Sequence, residues 1–434
     1  MARDSLYPVS VKAGKPILGM LPTGWQKLSL EKCLNIEARK AYIQDNQEYD
    51  LVTVKRSRGG VIRREHLKGK DISVKSQFYI KEGDFLISKR QIVHGACGLV
   101  PKELSGSIVS NEYCVLTGKS GFYLPYMEFL SESLYFQQTC FHSSIGVHIE
   151  KMIFKLDSWF KWPFNIPPLS EQKRIVKILS TWDKAISVTE KLLANSQQQK
   201  KVLMQQLVTG KKRLLDENGV RFSGEWEQFP LKVMAEVIVS PVDKKTEANE
   251  IPVELCNYTD VYYNNYITNN INFMKATATK NEIEKYTLKK GDVIITKDSE
   301  TPGDIAIPAL VSEDLNGVVC GYHLAIIRPK NKIVVGSFLN YLFSMQKTRY
   351  YFFTLATGAT RFGLSVGGIN YAHFSIPKIE EQQKIAAVLS AADAEISVLE
   401  KKLACLKDEK KALMQQLLTG KRRVKTEVEE TVSA

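Results

Sequence analysis

The sequence predicts an α+β protein built as a duplicated half. Two mixed α/β domains are each followed by one long helix, and the helices pair as an antiparallel coiled coil about a pseudo-two-fold axis. Three observations carry this reading. Residues 166–214 and 376–424 align at a constant offset of 210, with about half of the positions identical. Both segments carry a long heptad seam. Ile80-Lys-Glu-Gly-Asp-Phe-Leu-Ile-Ser-Lys89 also matches Leu288-Lys-Lys-Gly-Asp-Val-Ile-Ile-Thr-Lys297 near the same offset. A period that long exceeds a solenoid repeat or a propeller blade, so the unit of repetition is half the chain.

The first domain, residues 1–165, reads as mixed strands and helices. Tyr49-Asp-Leu-Val-Thr-Val54 and Phe85-Leu-Ile-Ser88 are short β-rich runs bounded by Gly, Asp and Lys. Tyr123–Leu130 has the aromatic amphipathic pattern of a helix. The second domain, residues 215–375, has strands at Asp292–Thr296 and Leu324–Arg328 and a helix at Phe338–Phe343. Gly24-Trp25 and Gly224-Glu-Trp226 open the two variable regions in corresponding places. Outside the repeated segments the domains have diverged almost completely, which suits one scaffold carrying two different readers.

The first repeat helix lies in 166–214 and the second in 376–424. Ile166-Pro-Pro168 and Ile376-Pro377 end extended segments, because a residue before proline avoids the helical region. Glu171 and Glu380-Glu381 then suit a positive helix N-terminus. Gly210 and Gly420, each followed by cations, mark left-handed stops. A helix of about 38 residues between these signals is about 57 Å long. Both seams contain a lysine, Lys200 and Lys410, a costly choice that fixes register or orientation. In antiparallel register Lys410 meets Trp182 and Lys200 meets Ala392, and a cation–π contact of Lys410 on the Trp182 ring is expected. Residues 425–434 are expected to be a disordered tail.

A net charge of +13 and a pI near 9.2 favour a polyanionic partner. The densest basic stretch holds Lys55, Arg56, Arg58, Arg63 and Arg64, beside Gly59-Gly60. Arginine offers phosphate contacts and a bidentate fork for guanine, and glycine lets backbone approach a duplex. Lys89, Arg90 and Gln91, after the repeated Gly-Asp strand, form a second candidate DNA-reading loop, with Lys297 at the equivalent place. The second domain is richer in amides and aromatics. Tyr258, Tyr262, Asn264 and Asn265 are its candidates, since asparagine pairs with the adenine edge, and Arg361 ends a flexible polar loop. The alternative is a solvated basic loop for the stretches of the first domain, and ordinary turns with a strand edge for those of the second.

Seven scattered cysteines without a C-x-x-C, and six histidines without H-x-x-x-H spacing, outline no disulfide framework and no metal site. Met1–Leu6 lacks the apolar core of a signal peptide and no apolar run is long enough for a bilayer, so a cytoplasmic protein is expected. Gly118-Lys119-Ser120 resembles the end of a P-loop, but Tyr113 stands where its first glycine should be. Asn165-Ile-Pro-Pro-Leu is not the D/N-P-P-Y/F motif of amino-methyltransferases. With no nucleophile constellation either, the chain reads as non-catalytic.

Two variable regions, each ending in I-P-x-x-x-E-Q and followed by a helix with M-Q-Q-L-x-T-G-K, closely resemble the specificity subunit of Type I restriction–modification enzymes. The resemblance covers nearly the whole chain in organisation and is strongest in 166–214 and 376–424. It implies two target-recognition domains reading the halves of a gapped, asymmetric DNA sequence, and no catalytic residue in this chain. It also implies docking to two methylation subunits and, through the complex, to restriction subunits. No cofactor is then bound by this chain; S-adenosylmethionine, ATP and Mg belong to the partners. By position, Gln172, Leu207, Gln382 and Leu417 would help bind the methylation subunits. A stand-alone bipartite DNA-binding regulator, a coiled-coil adapter and a cryptic nuclease are the rival readings.

Overall fold

The structure is a computed structural model that describes residues 14–424. The expected tail at 425–434 and the reading of Met1–Leu6 lie outside the described residues. Contacts divide these into two units, 14–190 with 402–424 and 191–401. Each unit therefore holds one mixed domain and part of both long helices.

Those helices run Leu169–Leu207, of 39 residues, and Ile379–Leu418, of 40 residues. The proline, acid and glycine signals act where the sequence placed them. Glu171, Glu380 and Glu381 occupy the first turns, and Gly210 and Gly420 have φ of +69° and +67°. A side chain in that left-handed region is strained, and here a Cβ on Gly420 would also strike Pro22.

In the first unit a five-stranded sheet has the order Lys40–Ala41, Gln77–Tyr79, Ile108–Ser110, Glu48–Val54, Val61–Lys68. A four-stranded sheet orders Leu34–Glu37, Tyr113–Gly118, Phe85–Ser88 and Cys97–Leu99. In the second unit a five-stranded sheet orders Ala235–Val239, Leu324–Pro329, Val293–Thr296, Pro308–Val311 and Tyr266–Ile267. A three-stranded sheet of Met274–Ala278, Ile251–Cys256 and Val319–Cys320 lies beside it in the same unit. The expected helices shorten to Tyr126–Leu130 and lengthen to Gly336–Ser344.

The strand after each Gly-Asp turn is buried on both faces, which explains its unbroken apolar run. Phe85 and Ile87 join one core while Leu86 joins another. Val293 and Ile295 face one core and Ile294 the other. This is the two-residue alternation of a strand with no wet side. Gly83 and Gly291 (φ +81° and +93°) set the turns. The next carboxylate is buried and holds an arginine: Asp84 takes Arg39 at 2.6 and 3.1 Å, and Asp292 takes Arg328 at 2.9 and 2.7 Å. The repeated motif is scaffold.

Each long helix begins in its own domain's core. Ile175 and Leu179 pack with Phe164 and Trp159, and Ile385 and Leu389 with Phe338 and Phe374. Leu417 lies in the first of these cores and Leu207 in the second, so within each unit a helix start meets the other helix's end. Antiparallel pairing follows from the cross-helix bonds. In the first unit Lys410 bonds Asp183 and Lys407 bonds Glu190. In the second, Lys200 pairs with Asp393 and Ser196 bonds Glu395.

The partner expected for the seam lysine needs correction. Lys410 does not stack on Trp182. Its ammonium bonds Asp183 at 2.7 Å and sits over the Phe129 ring at 5.6 Å. Likewise Lys200 pairs with Asp393, beside Ala392, and lies 5.8 Å from the Tyr341 centroid. A lysine stem is long enough to pass the residue directly opposite and reach the flanking acid, where an ion pair replaces a ring contact. Trp182 instead lines a groove with Ile178, Leu413, Leu417 and Arg422.

Among the described residues, no helix is long and apolar enough to cross a membrane.

Candidate nucleic-acid interface

In the first unit the basic stretch 55–66 divides into a hairpin turn and an edge strand. The turn joins Glu48–Val54 to Val61–Lys68, and Ser57 and Arg58 adopt φ of +58° and +54°. The strain is held by a neighbouring turn: Ser57 N–H donates to His94 O at 2.7 Å and Arg58 N–H to Gly95 O at 2.8 Å. Arg56 pairs with Glu150 at 2.6 Å, and His94 reaches the same carboxylate at 3.2 Å. The Arg56 guanidinium holds the Glu150 carboxyl below its ordinary range. Lys55 is exposed, and among the described residues neither it nor Arg58 has a carboxylate within ion-pair distance. Arg63 and Arg64 lie on the outer strand of the sheet, not in a loop, and are exposed. Arg63 is tied to Asp50 at 2.9 Å and Arg64 to Glu65 at 3.4 Å.

The loop at 89–91 adjoins this turn. Phe154 N–H, just past the Glu150 turn, donates to Lys89 O at 2.8 Å. Lys89 Nζ bonds Asn111 O at 2.6 Å, and Arg90 bonds the Glu112 carboxylate at 2.6 and 3.4 Å. Gln91 is half-buried, and its Oε1 finds no partner among the described residues. Arg56, Arg58, Lys89 and Arg90 thus ride on loops hydrogen-bonded to one another.

The second unit gathers its candidates around the strand ending at Thr296. Tyr258 and Tyr262 sit on the short helix Tyr258–Tyr262, capped reciprocally by Asn257 and Asp260. Their rings stack at 5.5 Å. Tyr258 Oη meets Ser299 Oγ at 3.1 Å, and Tyr262 Oη donates to Asp304 at 3.2 Å. That carboxylate raises the Tyr262 pKa, while burial raises that of Tyr258. The Asn264 side chain turns back to Asp260 O at 2.9 Å, leaving Asn265 the exposed amide. Lys297 is mostly buried and bonds Asp298 at 2.7 Å. Asp298 and Ser299 pair with Gly363 and Phe362, so the turn carrying exposed Arg361 is anchored to the same strand end.

Three residues of these clusters were not legible in the sequence: Glu112, His323 and Arg349. His323 Nδ1 lies 3.3 Å from Asp298, and burial lowers its pKa below the ordinary value, with Arg361 adding to the effect. Arg349 donates to Gly303 O at 2.7 Å, while its Nη1 is buried without a partner among the described residues. Asp298 follows Lys297 in the run equivalent to Lys89-Arg90-Gln91, but nothing local marks the other three.

The partner-binding candidates also need correction. Gln172, Gln382 and Leu207 are fully buried, and Leu417 nearly so. Gln172 accepts from Tyr123 N–H at 2.7 Å and donates to Gly121 O and Pro167 O at 3.0 and 2.9 Å. Gln382 makes the same three bonds to Val335 N–H, Ile333 O and Pro377 O at 3.0, 2.9 and 2.8 Å. They staple a loop to a helix start and present nothing to a partner. Beside them, Glu171 receives Arg423 and the Trp25 indole, and Glu381 receives Arg213.

The same scaffold therefore occurs twice, with different side chains on its loops. Among relatives, the chain is 27% identical over 319 residues to the Type I restriction enzyme MjaVIII specificity subunit of Methanocaldococcus jannaschii, covering 70% of each. It is 27% identical over 275 residues to the putative type I restriction enzyme MjaX specificity subunit of that organism, covering 60% of this chain and 59% of that one. In fold it is similar to the HsdS subunit from Thermoanaerobacter tengcongensis (TM-score 0.50, 18% identity, 93% of this chain and 98% of that one). It is likewise similar to a Type-I restriction-modification system S subunit from M. genitalium (TM-score 0.55, 12% identity, 93% and 98%). The pattern described as Type I restriction modification DNA specificity domain matches twice, over residues 22–195 and 223–408. Since each match takes in one mixed domain and most of the helix after it, the chain belongs to the Type I restriction modification DNA specificity family, a family of DNA-recognition subunits.

Proposed function

We propose that each mixed domain of this specificity subunit reads one half of a gapped, asymmetric duplex target, and that the chain does no chemistry itself. The observation that carries the reading is a duplicated scaffold with divergent loops. The Gly-Asp turn with its buried acid, the glutamine staple and the Glu–Arg latch recur in both halves, while the side chains on the loops differ. A homogeneous polyanion binder has no need of two different surfaces. Lysines and arginines then supply salt-sensitive phosphate affinity, and a few side chains per domain discriminate bases at about 1–3 kcal/mol per mismatch.

The finer assignments follow the family. Two methylation subunits would dock to the helical segments through exposed residues, given that Gln172, Leu207, Gln382 and Leu417 are buried. Restriction subunits would join through the complex. S-adenosylmethionine, ATP and Mg would be held by those partners, and the complex would work in the cytoplasm.

Genome-wide adenine methylation in the host, with and without this gene, tests the reading. Loss of methylation at one gapped, asymmetric motif is the expected result and yields both half-sites. An unchanged pattern in a host with active methylation subunits would favour the regulator or adapter instead.

A further inference from the structure

The strand after the Gly-Asp turn ends in the same junction in both domains. Lys89 N–H donates to Glu112 O at 2.9 Å, and Lys297 N–H donates to His323 O at 2.9 Å. The strand registers agree, with Ser88 opposite Tyr113 and Thr296 opposite Leu324. Arg90 is thereby equivalent to Asp298, and Glu112 to His323. In each domain these two side chains bond each other, Arg90 to Glu112 at 2.6 Å and Asp298 to His323 at 3.3 Å. The strand-end backbone bond is duplicated, and the cation Arg90 gives way to the anion Asp298.

We infer that this junction is the base-discriminating position of each domain, Arg90 with Glu112 facing a guanine edge and Asp298 with His323 facing the exocyclic amine of cytosine. The inference rests on the half-site reading proposed above. A phosphate-contacting position would keep a cation in both domains, since phosphate offers only acceptors. An acceptor-only carboxylate can be satisfied by a duplex solely through base amines, whereas an arginine fork matches the O6 and N7 acceptors of guanine. The setting agrees. Asp298 is bonded to Lys297, and His323 feels the positive fields of Arg361 and Lys244. Those cations suit the flanking phosphates while the acid faces the bases.

The test uses the full chain assembled with its methylation subunits, acting on a plasmid library randomised in both half-sites, with methylated sites read by sequencing. Arg90→Gln is expected to cut the preference at one base pair of one half-site by about tenfold, leaving the other half-site intact. Asp298→Asn is expected to alter one base pair of the other half-site, shifting it toward adenine, which asparagine reads through N6 and N7. Lys89→Ala serves as the contrast and should weaken all sequences alike. The inference is overturned if Arg90→Gln and Asp298→Asn also lower methylation uniformly, or leave the motif unchanged. A wild-type complex that methylates no gapped motif overturns the underlying half-site reading instead.

Discussion

Lys410 donates to Asp183 at 2.7 Å, and Lys200 pairs with Asp393 at the position 210 residues away. Each lysine comes from the end half of one helix and each aspartate from the start half of the other. Each ammonium also covers a ring of the domain, Phe129 or Tyr341. One side chain thus joins two helices and a domain. The two sites differ in burial: the Asp183 side chain is 48% exposed and that of Asp393 only 13%. Asp393 also accepts from Tyr266 and Tyr341, both at 2.8 Å.

Truncating the two aspartates should therefore cost different amounts. Asp393→Ala leaves a mostly buried ammonium without its carboxylate, while the two hydroxyls keep only each other and Ser390, and should destabilise by about 3–5 kcal/mol. Asp183→Ala removes a half-exposed carboxylate and leaves Lys410 over the Phe129 ring with Glu132 at 3.7 Å, and about 1 kcal/mol is expected. Urea unfolding of the two variants measures the difference, and equal losses would contradict the burial argument.

The seam lysines show what the sequence could reveal and what it could not. Heptad spacing gave their register to within one residue because repeated apolar positions must face each other. It misassigned their partner because a long side chain is not confined to the position opposite. The Gly-Asp turn was legible as scaffold, since a left-handed glycine and a buried acid tolerate few replacements. Gln172 and Gln382 were misread for a related reason: an internal staple leaves the same repeated polar residue as a docking contact would. The Glu112 and His323 junction was invisible. Strand pairing sets it, and no shared residue type records it.

Gln172→Ala and Gln382→Ala should each destabilise their own unit by about 2–3 kcal/mol, because each strands a loop N–H and two carbonyls away from water. Gln172→Glu should be nearly as damaging, since a carboxylate cannot donate to Gly121 O and Pro167 O. Hydrogen exchange at Tyr123 and Val335 locates the effect. Loss of partner co-purification at unchanged stability would restore these residues to a docking role.

The pairing of Arg56 with Glu150 predicts opposite effects of two nearby changes on DNA affinity. Arg58→Ala removes a cation that has no ion pair among the described residues and should lower the salt slope of binding by about one. Arg56→Ala should do less, because Glu150 already occupies that guanidinium. Glu150→Gln should strengthen non-specific binding at low salt by freeing Arg56 for phosphate. Salt titrations of the three variants decide it, and weaker binding by Glu150→Gln would show that the pair positions the loop.

His323 should titrate below the ordinary histidine value near 6.5, chiefly because burial disfavours its charged form. Arg361 pushes in the same direction, and the bond to Asp298 opposes both. Folding then releases a proton in the window between the lowered native value and 6.5. The unfolded chain binds more protons there, so this histidine's contribution to stability is complete above 6.5 and is lost as pH falls through the native value. Imidazole NMR titration reads the value directly, with His323→Gln assigning the signal. Arg361→Ala should raise it by removing a repelling charge. Asp298→Asn should lower it further by removing the acceptor that favours the imidazolium. Shifts of the opposite sign in both variants would mean that burial and charge at this junction are not arranged as the structure has them.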